Sequence, residues 1–241
     1  MKILTNFKFI VLVTASLFVL QVVNATTLEL SFKKGEMICF VSSVQFSGQQ
    51  ENQKKYFQGV LPIASGLNVQ LVASMSVVDN LVGEHIVPGF GIIKLPNIDV
   101  KKVLNETRLN EWQQYREMRS DIWEHLRMAD YQIEEALSIS FDSDKFYQME
   151  SFWVQVDKEN EFEGFINTRS AHASNSGAKI IHQFLMPQMY ETLGKESAPT
   201  NFIITQWDSK NQFEKFQIAQ ADTFKYLSGY DAWLTKINVA E

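Results

Sequence analysis

The sequence predicts an α+β fold made of two tandem β-α-β-β-α-β units. Three observations predict it. One order of strand and helix signals occurs twice, glycine and isoleucine anchors recur at a fixed spacing, and no long Gly/Pro/Ser linker separates the copies. The boundaries read from these signals are 26–145 for the first unit and 146–241 for the second, with the joint near Ser143 to Glu150.

In the first unit, Met37 to Val44 is an apolar, β-rich run. Gln49 to Ser65 follows with Tyr56, Phe57, Val60 and Ile63 at helical spacing. Gly66 is the expected helix stop. Asn68 to Val78 is a second strand, and Phe90 to Leu95 a third after breaks at Gly83 and Pro88. Leu109, Trp112, Tyr115, Ile122, Trp123, Leu126, Ile133 and Leu137 recur mostly at steps of three and four, which predicts a second, long amphipathic helix. Leu137 to Phe141 alternates like a fourth strand.

The second unit repeats the order. Phe152 to Val156 is the strand and Asn160 to Ser176 the helix, with Gly177 as its stop. Ile180 to Met186 and Asn201 to Trp207 are the next strands. Phe213, Phe216, Tyr226, Tyr230 and Trp233 mark a second helical region, and Lys236 to Ala240 a last strand. Gly66 and Gly177, Ile92 and Ile203, and Ile93 and Ile204 all lie 111 positions apart. That order is the split βαβ, ferredoxin-like unit, whose antiparallel sheet carries helices on one face and needs a cover on the other. A second copy supplies that cover.

Lys54-Lys55-Tyr56-Phe57 through Leu61-Pro62-Ile63-Ala64-Ser65-Gly66, and then Gly91 to Asn97, resemble the dimeric α+β barrel superfamily. The resemblance is closest to a bacterial domain of unknown function related to antibiotic-biosynthesis monooxygenases. Members pair two chains to close a barrel. Two copies in one chain imply an intrachain pseudo-dimer, either monomeric or a homodimer of that form.

The first 25 residues read as a signal peptide. Lys2 and Lys8 precede an uncharged apolar run, Phe9 to Val23, and Val23-Asn24-Ala25 suits a signal peptidase. Fifteen apolar residues fall short of the roughly 20 that span a bilayer. The expectation is a periplasmic or secreted protein with no membrane span after cleavage.

Lys+Arg number 22 against 28 Asp+Glu, a net charge of −6, and no basic run tracks phosphates, so nucleic acid is not an expected partner. The lone cysteine, Cys39, lies in an apolar run and reads as a buried core residue.

Four histidines are present. His85 falls in a loop before Pro88, and His125 lies on the long amphipathic segment. His172 and His182 sit where the 111-residue offset places Leu61 and Leu71 in the first unit, so polar groups replace apolar ones there. His182 and His172 are therefore the candidate catalytic residues, against the bland reading of ordinary hydrogen-bonded histidines. Asn175, Phe184 and Trp207 are the candidate ligand-binding residues. They would line a sheet–helix pocket for a small apolar or aromatic molecule. Core packing is the simpler reading of the aromatic residues. No HExxH, His-x-His or Cys/His cluster is present, so no metal site is expected. No cofactor is expected from the motifs. The resemblance implies two alternatives, a cofactor-free monooxygenase or a haem-linked enzyme with one axial histidine.

Overall fold

A computed structural model describes residues 27–105, 110–194, 196–218 and 226–238. The proposed signal segment lies outside them. β1 (Thr27–Phe32) comes first. The first unit follows: β2 (Met37–Gln45), α1 (Gln50–Gly66), β3 (Gln70–Val82), β4 (Gly89–Leu95), three short helices α2 (Ile98–Asn105), α3 (Asn110–Glu117) and α4 (Arg119–Ile122), and β5 (Trp123–Gln132). β6 (Leu137–Asp142) leads to the second unit: β7 (Phe146–Val154), α5 (Glu159–Asn175), β8 (Lys179–Phe184), β9 (Met189–Thr192), β10 (Asn201–Trp207), α6 (Lys210–Ile218) and β11 (Leu227–Ile237).

Nine strands form one antiparallel sheet in the order β8-β10-β7-β11-β3-β4-β2-β5-β9. Each unit contributes its four main strands in the same spatial sequence: second, third, first, fourth. That is the ferredoxin-like arrangement, present twice. The long β3 pairs with β4 along its first part and with β11 of the other unit along its second. Its counterpart is broken into β8 and β9. β8 lies at one edge of the sheet and β9 pairs with β5 at the other, so the chain itself links the two edges and closes a barrel. Pro187 lies in the break, where it has no N–H to offer a ladder.

Alternation decides which side chains fill the lumen. Ile38, Phe40, Ile92, Ala129, Tyr131, Met149, Phe184, Phe202, Ile204 and Trp233 share one buried cluster between the units. β1 and β6 form a separate ribbon, and Leu30, Phe32, Ile139 and Phe141 join that cluster. On the outer faces, α1 to α4 cover Met37, Cys39, Leu126 and Met128, while α5 and α6 cover Phe152, Ile203, Trp207 and Leu234. Neither unit could bury its lumen face alone.

The duplication is real, but its register differs from the expected 111. The first strand, helix and start of the second strand repeat at 109 positions, Met37 to Phe146 and Gln50 to Glu159. After both helices the backbone makes the same turn. Asn68 and Gly177 hold positive φ, 57° and 82°. Val69 N–H donates to the Ala64 carbonyl and Ala178 N–H to the Ala173 carbonyl. Asn68, not Gly66, is thus the left-handed residue, a role asparagine tolerates. The third strands repeat at 112, Leu95 to Trp207, because Ile92 and Ile204 both face the lumen whereas Ile203 faces the helices. One residue of slip inverts every side chain in a strand. Both units also carry the same bulge. Leu71 and Ala73 face Ile93 and Ile92, and Ile180 and His182 face Thr205 and Ile204. His182 therefore replaces Ala73, and His172 replaces Ile63.

Two expected elements differ. The long amphipathic segment starts at Leu109, outside the described residues; from residue 110 it is two short helices that end at Ile122, and residues 123–132 are the fourth strand of the unit. Leu137 to Phe141 is a strand, as read, but it belongs to the ribbon. Likewise Tyr230 and Trp233 lie on β11 rather than on a helix, so the last strand starts at Leu227 and not at Lys236, while Ala240 lies outside the described residues. Among the described residues no helix is long and apolar enough to cross a membrane.

Candidate functional site at the barrel mouth

The five residues singled out in the sequence do not share a pocket. His172 and Asn175 are exposed on α5. His182 and Phe184 touch each other, with ring centroids 4.3 Å apart, and Phe184 lies in the lumen cluster. Trp207 lies on the opposite face of the sheet, buried beneath Phe213 and Phe216. The sheet–helix space of the second unit is already filled. Its cavity, lined by Ile166, Arg169, Ile180, Ile203, Thr205 and Trp207 among others, is about 10 Å³, room for one water. Haem does not fit there. None of the four histidines faces that layer, and the lumen side of His182 is occupied by Phe184, Phe202 and Phe40.

A different group of polar residues meets at the end of the lumen away from the ribbon. β5 presents His125 and Arg127 on its lumen face, two positions apart, in line with Ala129 and Tyr131. β11 presents Asp231 on the same face as Trp233. Ser42 pairs with Arg127 and Ser151 with Asp231, so Arg127 and Asp231 occupy equivalent places in the two units. They meet across the pseudo-two-fold axis, Arg127 Nη1 to Asp231 Oδ2 at 2.7 Å. Gly83 makes room for that carboxylate. A Cβ there would lie 2.7 Å from Asp231 Oδ1, and the glycine φ is +131°.

Two loops close over the pair. The β3–β4 loop brings His85 and is pinned by Val87, which is fully buried and donates its N–H to Asn80. The β9–β10 loop brings Glu196 and is pinned by Leu193 N–H to the Leu126 carbonyl and Thr200 N–H to the Phe152 carbonyl. Glu196 Oε2 accepts from Arg127 Nη2 at 2.7 Å and from the Tyr190 hydroxyl at 3.3 Å. Its other oxygen, Oε1, faces His85 Nε2 at 3.5 Å and His125 Nδ1 at 3.9 Å. The two imidazoles stack, centroids 4.1 Å apart. The Trp153 ring lies under the Arg127 guanidinium at 5.2 Å and donates its indole N–H to the Ser197 carbonyl. Gly229 opposite Trp153 leaves the space that ring needs.

Electrostatics follow from this packing. Burial pushes the His125 pKa down to about 4, with His85 and Arg127 pushing the same way, so its ring is neutral at pH 7. Burial raises the Glu196 carboxyl, but its hydrogen bond and charge contact with Arg127 outweigh that and hold it below the ordinary value. For Asp231 burial wins over Arg127, and its pKa is raised.

No family model matches the sequence, and no curated protein does. Solved structures do match. A protein described as anthrone oxidase-like aligns at TM-score 0.55 with 14% identity, over 87% of this chain and 94% of that one. A substituted chlorite dismutase from Candidatus Nitrospira defluvii aligns at TM-score 0.49 with 7% identity, over 86% and 93%. The fold is the dimeric α+β barrel, built from one chain. These likenesses concern the path of the chain and leave the chemistry to the site itself.

Sequence reasoning passed over this α+β barrel's mouth. The sequence alone places His85 in a loop and His125 on a helix, and points to none of Arg127, Glu196 or Asp231. One signal was present. In His125-x-Arg127-x-Ala129-x-Tyr131 the period is two, which marks a strand with its polar end toward solvent.

Proposed function

We propose that this chain is an exported barrel protein that binds a small aromatic or apolar molecule bearing a polar end, and that it does so at the barrel mouth. The observation that carries the reading is the convergence of His85, His125, Arg127, Trp153 and Glu196, from both units, around one point at the rim of the lumen. Trp153 and the stacked imidazoles offer aromatic faces. The neutral His125 offers a lone pair to a hydroxyl or amide donor. Export rests on the charged start, apolar run and small-residue site of the first 25 residues.

The oxygenase alternative needs a base for a phenolic proton. Moving a proton from a phenol of pKa about 10 to an imidazole of about 4 costs roughly 8 kcal/mol. That cost weighs against His125 in such a role. His172 is exposed, and the described contacts of the His182 ring are with the apolar ring of Phe184.

Titration calorimetry with a panel of phenols and aromatic amides, in chelator-treated buffer, tests the reading. We expect saturable binding at one site, weakened at least tenfold in Trp153→Leu and His125→Ala. Binding untouched by both substitutions, or none across the panel, would sink it.

A further inference from the structure

We propose that the mouth is also a divalent-metal site, held by His85 Nε2, His125 Nδ1 and Glu196 Oε1 and suited to zinc. It rests on the same reading of the mouth as the working end of the barrel. The three donor atoms lie within 4.8 Å of one another. A tetrahedral zinc with bonds of about 2.0–2.2 Å places its ligand atoms roughly 3.4 Å apart. The His85–Glu196 pair is at 3.5 Å and the His125–Glu196 pair at 3.9 Å. The two imidazole planes are stacked at 27°, so closing the set needs the His85 ring to swing out of its stack until its Nε2 lone pair meets that of His125. That side chain is 35% exposed, so solvent leaves it room to turn.

The surroundings suit a cation in three respects. First, the carboxylate divides its work. Oε2 is fixed by Arg127 and Tyr190, which orient the group from behind, while Oε1 points at both imidazoles. Second, Glu196 and Asp231 outweigh Arg127 by one negative charge before the histidines are counted. The arginine's repulsion is thus offset by its own partner. Third, two nitrogens and one carboxylate oxygen are the donor set of open zinc sites that keep a fourth position for water or ligand. That position would face the polar end of a molecule bound at the mouth. Nitrogen and oxygen donors favour zinc and its first-row neighbours over calcium or magnesium, which prefer oxygen alone. His85 and His125 come from the first unit and Glu196 from the second, so the ion would also tie the units together.

The test uses the full chain, free of any histidine tag, stripped with EDTA and titrated with zinc and with cobalt(II). The expected result is one equivalent bound, visible absorption from a low-coordinate cobalt site, and a melting temperature that rises with free zinc. His85→Ala should weaken zinc binding at least tenfold and abolish the cobalt bands. His85 is a partly exposed loop side chain that belongs to none of the apolar clusters, so this variant keeps its fold. Glu196→Gln should do the same, and its far-ultraviolet circular dichroism checks that it folds. No saturable zinc binding overturns the proposal, and so does binding that survives His85→Ala unchanged. Because the phenol panel is run without metal, a protein that binds phenols but not zinc refutes the ion alone. One that binds zinc but no panel member refutes the aromatic ligand alone.

Discussion

At the scale of single residues, the two units disagree most where charge is buried. Lys101 Nζ lies 2.9 Å from Asp130 Oδ2, with side chains 7% and 0% exposed. The corresponding positions of the second unit, by strand register and the 112-residue repeat, are Phe213 and Leu234, which share an apolar cluster. The molecule thus holds both solutions to one packing problem. A buried ion pair spends most of its Coulomb gain on desolvation, and an apolar pair of similar volume does as well. We expect Lys101→Phe alone to cost about 3–5 kcal/mol, because it strands a buried carboxylate. The double change Lys101→Phe with Asp130→Leu should recover most of that loss in urea unfolding. A double variant no more stable than the single one would contradict the argument. Nothing in the sequence announces the pair, because its members are 29 positions apart and each looks like an ordinary surface charge.

At the scale of elements, the weak link is β9. Only four residues long, it closes the barrel against β5. Its Glu191 reaches across to Arg119 at 2.5 Å and Arg116 at 3.4 Å. Burial raises the Glu191 carboxyl, but Arg119, Lys101 and Arg116 outweigh it and hold the pKa below the ordinary 4.5. The folded value is the lower one. The stabilisation is therefore complete above about 4.5 and is lost as pH falls through the depressed value. Amide exchange across β9 should quicken in that acid window, and in Glu191→Gln it should be fast already at pH 7. Equal protection of β9 in the two proteins at pH 7 would refute this. β9 was invisible in the sequence because four half-buried residues carry no period. The strands with strong apolar runs, β2, β4 and β10, were legible, and so were α1 and α5. β5 was not. The helical spacing of Trp112, Tyr115 and Ile122 runs straight into it, and Leu126 happens to continue that stripe on the helix-facing side of the strand. That misreading is what hid the mouth. His125 on a helix has no reason to meet Glu196, whereas on the lumen face of a strand it does.

At the scale of the whole molecule, both units line one lumen, so they should melt together. Calorimetry and near-ultraviolet circular dichroism should report a single transition with matching enthalpies, and the chain should sediment as a monomer. Two separable transitions would show that the units hold their own cores. The duplication itself was legible from the repeated order of elements. Its register was not, because a one-residue change between third strands is silent in composition yet inverts which side faces the core. The contact between Arg127 and Asp231 carries a historical consequence. In an assembly of two identical chains, a residue on the dyad can only meet its own copy, so a charge there confronts its like. Opposite charges on the axis require two genes' worth of freedom at one locus. This salt link is therefore one that two identical chains could not form, and it needs the two copies to differ at that place.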